Sequence, residues 1–245
     1  TVNITLNPAV DLTRSFVLVS ERINTGNENR DERWTFRARL TATNNLELTR
    51  NESVTDVTVA WQVIQIQDAA VQSGLTTINN GSNTATAVIG SVDVTRTFLV
   101  FTRRTQGNTG GREERYQVSG ELTNATTLTF TRAGTSSNVD IAWFAVTLND
   151  GSTVQRGVAA AGSGTATVDA ALSPAIVLNR SFPIISVSGS SNGDNDRLDD
   201  TSLTHAFTST TNLRFQRAST TRSAQIAWFV VHLGSPRIDW QEIFP

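Results

Sequence analysis

The sequence predicts an all-β protein built as three tandem antiparallel β-sandwich repeats of about 82 residues with short linkers, and three observations carry that expectation. An apolar strand centred on tryptophan occurs three times, as VAWQVIQI, IAWFAVTL and IAWFVVHL, with Trp61, Trp143 and Trp228 spaced 82 and 85 residues apart. Two arginine anchors keep the same register: Arg14, Arg96 and Arg180 each precede a phenylalanine by two residues, and Arg50, Arg132 and Arg217 each precede the tryptophan by 11. Finally, runs rich in Thr, Val, Ile and Phe are broken by Gly, Asn, Asp and Ser clusters, and no window has a helical period.

The second repeat is the most complete and shows the elements in order. Strands are expected at residues 71–75, 84–89, 94–103, 115–122, 127–132 and 139–148, enough for two small sheets packed face to face. In 127–132, Leu128, Phe130 and Arg132 share one face and threonines the other, which is the pattern of a half-buried strand. The tryptophan strand is apolar on both parities, so it is expected to be central and covered on both faces, with a neighbouring unit or subunit covering the second. Repeat boundaries fall at residues 1–67, 68–149 and 150–233, followed by an apolar tail at 234–245. Connections of four or five residues predict a rigid body, either a rod or a closed pseudo-threefold ring.

Repeat 1 begins at TVNITLNPAV, which aligns through Pro8 and Arg14 with Pro174 and Arg180, so the VQSG/VQRG strand that opens repeats 2 and 3 is missing from it. The tail carries Ile238, Trp240, Ile243 and Phe244. Enclosing these four would be worth about 1.5–3 kcal/mol each, and they are expected to form an assembly tail docking on the open edge of repeat 1 in the same or the next chain.

The chain has 245 residues, 38% of them hydrophobic, and a formal charge of −2 with acidic and basic residues interspersed. No basic stripe for nucleic acid or an anionic membrane results, and neither nucleic-acid binding nor membrane insertion is expected. All 20 basic residues are arginine; cysteine and methionine are absent, which excludes disulfides, thiolate metal sites and a cysteine nucleophile. An arginine-only chain reads either as a GC-rich coding bias or as a surface selected for an exposed, extracellular or virion setting.

Candidate sites are few. The longest polar loop of each unit, at residues 20–33, 102–115 and 186–200, recurs at one place in the repeat and is where a binding function would sit. In the third, Asp194, Asn195, Asp196, Asp199 and Asp200 supply hard oxygen ligands for calcium, but without the twelve-residue loop pattern, and no cofactor is expected. Arg50, Arg132 and Arg217 end apolar strand faces. They are expected to be structural, stacking on a tryptophan with their donors at the rim. The two histidines, His205 and His232, have no counterparts in the other repeats, and no nucleophile elbow or phosphate-cradling loop is present, so no enzyme is expected.

The succession of an apolar strand, a long polar loop, a TTLTFTR-type strand and a closing tryptophan strand is similar to the H-type lectin module, a small antiparallel sandwich that trimerises and binds sugars. Tandem units with VQSG-type openings also resemble repeats in virion proteins of tailed bacteriophages. These resemblances imply a virion or extracellular location. The expected function is a non-enzymatic structural or assembly protein whose partners are copies of itself and other structural proteins. The alternative is a secreted carbohydrate-binding lectin with three equivalent loop sets and glycans as ligands.

Overall fold

Residues 1–25, 35–53, 56–107, 117–189 and 200–234 are described by the computed structural model. The alternation of threonine with bulky apolar residues turns one face of a strand such as 127–132 toward a core, and every strand pairing among the described residues is antiparallel. Unit 1 contains β1 (Val2–Thr5), β2 (Ser15–Thr25), β3 (Arg37–Ala42), β4 (Asn45–Thr49) and β5 (Asp56–Gln65). Unit 2 contains β6 (Ala69–Ile78), β7 (Thr84–Val88), β8 (Thr97–Thr105), β9 (Val118–Asn124), β10 (Thr127–Arg132) and β11 (Val139–Leu148). Unit 3 repeats that set as β12 (Thr153–Ala161), β13 (Thr167–Ala171), β14 (Ser181–Gly189), β15 (Thr204–Ser209), β16 (Asn212–Gln216) and β17 (Ala224–His232).

Units 2 and 3 each pack two three-stranded sheets, ordered β6-β11-β8 against β7-β10-β9 and β12-β17-β14 against β13-β16-β15. Leu128, Phe130, Leu213 and Phe215 fill the space between them and are at most 1% exposed. Unit 1 has the three-stranded sheet β1-β4-β3, but its tryptophan sheet is only the pair β2-β5. Among the described residues no strand holds the place beside β5 that β6 and β12 hold beside β11 and β17.

Several strand boundaries differ from expectation, among them the end of β9, at Asn124 rather than 122. The opening strand of unit 2 spans ten residues rather than five, because it pairs with the whole of β11, from Val139 opposite Ile78 to Leu148 opposite Ala69. The Arg-Phe strand starts at Thr97 rather than Val94. Asp93 folds its side chain over the chain there and accepts from the Thr95 N–H (2.9 Å) and hydroxyl (2.7 Å). Asp11 makes the same turn with Thr13 at 2.9 and 2.7 Å, whereas unit 3, with no aspartate there, substitutes a 3-10 turn over Leu178–Arg180.

Successive units dock in one way. The Ala38 N–H of β3 donates to the Thr102 hydroxyl of β8 (2.8 Å), and at the corresponding places Gly120 of β9 donates to Ser186 of β14 (3.0 Å). The turn of each unit also receives the start of the next: Val71 N–H donates to Thr13 O (2.7 Å) and Val154 N–H to Thr95 O (2.6 Å). This covers the second face of the following tryptophan sheet, so β11 is buried at all but one of its ten positions. Residues of β2, β8 and β14 line one cavity of about 370 Å³, which brings all three units around a common space and rules out a straight rod. A Thr102→Val substitution preserves shape but strands the Ala38 N–H; it is expected to cost about 1–2 kcal/mol, read as a lower urea midpoint with unchanged m.

Candidate functional site

The chemistry of the candidate site starts from what unit 1 lacks. Trp143 lies across Gly74 of β6, and Trp228 lies across Gly157 of β12. A Cβ on Gly157 would stand 2.7 Å from Trp228 Cζ2, so only glycine lets the ring lie flat on its neighbour. Each covered ring is 7% exposed; Trp61, opposite Val19 of β2 and with no glycine-bearing strand on its other side among the described residues, is 37% exposed. The tryptophan strand is thus central and covered in units 2 and 3, whereas in unit 1, among the described residues, it pairs with β2 alone.

A second interaction of the opening strand recurs with it. The Gln72 side chain accepts from Gly90 N–H (2.7 Å) and donates to Gly90 O (3.0 Å), clamping the segment before the Arg-Phe strand. Gln155 does the same to Ser173 N–H and Pro174 O, each at 2.7 Å. In unit 1 the corresponding backbone is Asn7–Pro8, and both residues are exposed.

The outer face of the β2-β5 pair is also uncovered. Leu18 is 39% exposed and also lines the cavity shared with β8 and β14, and Ser20, the counterpart of Thr102 and Ser186, is exposed. At the far end of the chain, His205 of β15 occupies the place of Ala38 and Gly120 and is exposed as well. Phe182, whose counterparts Phe16 and Phe98 are 5% and 2% exposed and meet edge to face at 5.8 Å, is 39% exposed. Both ends therefore carry half of the junction that occurs twice inside the chain.

The arginine anchors serve the backbone. Arg132 is 1% exposed; its Nε and Nη2 donate to Ser82 O (3.2 and 2.9 Å), and Nη2 also to Asn79 O (3.0 Å). Arg217 binds Thr165 O, Asp200 O and Gly162 O at 2.8–3.0 Å. Neither follows the expectation of a guanidinium on tryptophan with donors at the rim, because the loops after β6 and β12 supply carbonyls that need donors. Arg50, whose unit lacks that loop, lies over Phe36 at 5.5 Å. Arg14 and Arg96 pair with Asp11 (3.5 Å) and Asp93 (3.7 Å), whereas Arg180 donates to Leu233 O and Gly234 O.

Asp140 is the main charged tie between units 1 and 2. It accepts from Thr77 (2.9 Å) and Arg104 (2.8 Å) of its own unit and lies 3.7 Å from Arg37 of unit 1. Burial raises its pKa, but hydrogen bonds from Gln106, Arg104 and Thr77 outweigh that and hold it below the ordinary carboxylate value. A carboxylate with a depressed folded pKa contributes stability that is complete above the unfolded pKa, about 3.9, and is lost as pH falls through the folded value. Asp140→Asn is therefore expected to be about 1–3 kcal/mol less stable at pH 7 and to converge on the parent as pH falls through the folded value, in acid titrations followed by circular dichroism.

Several sequence candidates resolve differently. The Ser181 hydroxyl donates to Val177 O (2.9 Å) and stands 2.9 Å from His232 Nδ1, so this Ser-His pair ties β14 to β17 with the hydroxyl proton already committed. Asp200 is 1% exposed and accepts from Ser219 (2.6 Å), a structural use. Asp194, Asn195, Asp196 and Asp199, most of the three long loops, and the tail residues Ile238, Trp240, Ile243 and Phe244 lie outside the described residues. Among the described residues no group of three or more His, Cys, Asp or Glu could hold a metal, and no helix is long and apolar enough to cross a membrane.

Sequence reasoning missed one feature, a cleft repeated at both junctions. Arg39, Gly74 and Trp143 line the first; Glu121, Gly157 and Trp228 occupy the same places in the second. Burial raises the Glu121 carboxyl, partly offset by a hydrogen bond from Gln225 (2.9 Å). The pairing was latent in the repeat, since the first member of each trio comes from one unit and the rest from the next. In comparisons with protein-family models, curated proteins and solved structures, the chain matches none.

Proposed function

We propose that this chain is a non-enzymatic structural or assembly protein of a virion or other extracellular surface, acting as a rigid three-unit block that joins copies of itself and other structural proteins. The supporting observation is the twice-used junction whose two halves are left open, at Leu18 and Ser20 of unit 1 and at β15 of unit 3. A surface that is buried at two of its three occurrences in one chain is suited to burial at the third. Because the contact is head-to-tail, it builds rings or filaments according to whether the rotation closes. Light scattering over a concentration series tests this: the mass is expected to rise with concentration and to stay at one chain for Ser20→Arg. A mass of one chain throughout would sink the reading.

A second reading, a secreted carbohydrate-binding lectin, is favoured by the two equivalent junction clefts beside Trp143 and Trp228. Their linings differ in charge, Arg39 in one and Glu121 with Arg156 in the other, which weighs against one shared ligand. Saturable glycan binding lost in both Trp143→Leu and Trp228→Leu would favour this reading over assembly.

A further inference from the structure

We propose that the cleft between units 2 and 3 is a binding site for a small dipolar molecule, with a carboxylate for Arg156 and an ammonium group for Glu121. The inference goes beyond both readings above and rests on neither. The cleft measures about 360 Å³ and is lined by residues of β9, β12 and β17, so its walls come from the interior of the chain. That volume suits a molecule of amino-acid size, since small-molecule clefts run from about 300 Å³ upward.

Glu121 and Arg156 are the only charged residues in the lining, and each is anchored by neutral partners instead of by the other. Arg156 Nε donates to Leu122 O (2.9 Å) and Nη1 to Val94 O (3.1 Å), which fixes the guanidinium on the backbone of unit 2. Its Nη2 has no acceptor among the described residues, and burial lowers the Arg156 pKa with no acidic neighbour to offset it. Gln225 donates to Glu121 Oε1 (2.9 Å), while Oε2 has no donor and no cation beside it among the described residues. Both side chains are half-buried. A charge drawn out of water is costly until an opposite charge or further hydrogen bonds replace the lost hydration. A ligand with a single charge leaves one of the two groups as it was; a dipolar one satisfies both and adds no net charge. Gly120, Gly157 and Ala227 keep the rest of the lining low, which leaves the volume to the ligand.

The cleft between units 1 and 2 is the comparison. Ser73 stands there in the place of Arg156, and Arg39 in that of Glu121. Arg39 donates from Nε to Glu47 Oε1 (2.7 Å) and from Nη2 to Glu47 Oε2 (3.2 Å), so its charge is neutralised within unit 1 by a two-point contact. One cleft is charge-balanced and the other keeps an open pair, so the expected stoichiometry is one ligand per chain.

The test is calorimetric titration of the full chain with free glycine, γ-aminobutyrate and ε-aminocaproate, each compared with the carboxylate and the amine of the same length. The expected result is saturable binding at one site per chain by at least one of the three, at least tenfold tighter than by either of its singly charged counterparts. Glu121→Gln keeps an acceptor for Gln225, so the variant is expected to retain the parent circular dichroism spectrum while its affinity falls at least tenfold, to that of the plain carboxylate. No binding by any of the three, equal binding of the carboxylate counterpart, or binding that Glu121→Gln leaves intact overturns the inference. None of these results changes the scattering mass, so the assembly reading stands or falls by its own experiment.

Discussion

Arg132→Met is expected to lower stability by about 3–4 kcal/mol, a fall in Tm of roughly 6–15 °C for a chain of this size. The side chain is 1% exposed, and its donors hold Ser82 O and Asn79 O, which belong to the connection between β6 and β7. Methionine fills much of the volume but donates nothing, so these carbonyls are left unpaired beside the core. Each costs about 1–3 kcal/mol unless the loop opens to water. Arg217→Met is expected to behave alike, since Thr165 O, Asp200 O and Gly162 O depend on it. Arg50→Met is the control: Arg50 is half-buried over Phe36, and the change is expected to cost about 1 kcal/mol or less. Calorimetric scans of the three variants check the order, and equal losses would show that the buried carbonyl contacts are not what stabilises units 2 and 3.

Gly74→Val is expected to cost about 3 kcal/mol, by a different route. A Cβ at Gly74 would fall 2.9 Å from Trp143 Cε2 and closer still to the six-membered ring, and valine adds two methyls to that collision. Either the indole leaves its site, giving up the Trp143 to Thr76 hydrogen bond (3.2 Å), or β6 separates from β11. Both expose the ring, so a red shift of tryptophan emission accompanies the lower midpoint. Pairing the change with Trp143→Leu removes the obstacle, and the double variant is expected to be less destabilised than the two single losses combined. Strict additivity would contradict the ring-on-glycine account.

The repeat, its anchors and the all-β class were legible because they depend on spacing along the chain. The covered second face of β11 was legible as well, since IAWFAVTL is apolar on both parities. What covers it was not: Ala38 and Thr102 meet through one backbone N–H and one hydroxyl, and neither residue type advertises a junction. The arginines illustrate a related limit. Strand periodicity put Arg132 and Arg217 on the inward face, but their partners are carbonyls, and a carbonyl leaves no mark on residue identity. Unit 1 gave the opposite lesson. Its missing strand was visible in the alignment of Pro8 with Pro174, yet the consequence for Trp61 required knowing that Trp143 rests on Gly74. The glycine recurring in VQSG and VQRG was the available signal.

The account turns on unit 1 being the same unit with one strand unfilled, and amide hydrogen exchange tests this most directly. In dilute protein, the β5 amides that face away from β2 are expected to exchange orders of magnitude faster than their counterparts in β11 and β17. Protection of β5 equal to that of β11 in the dilute, unliganded chain would contradict the account, because the edge would then already be paired.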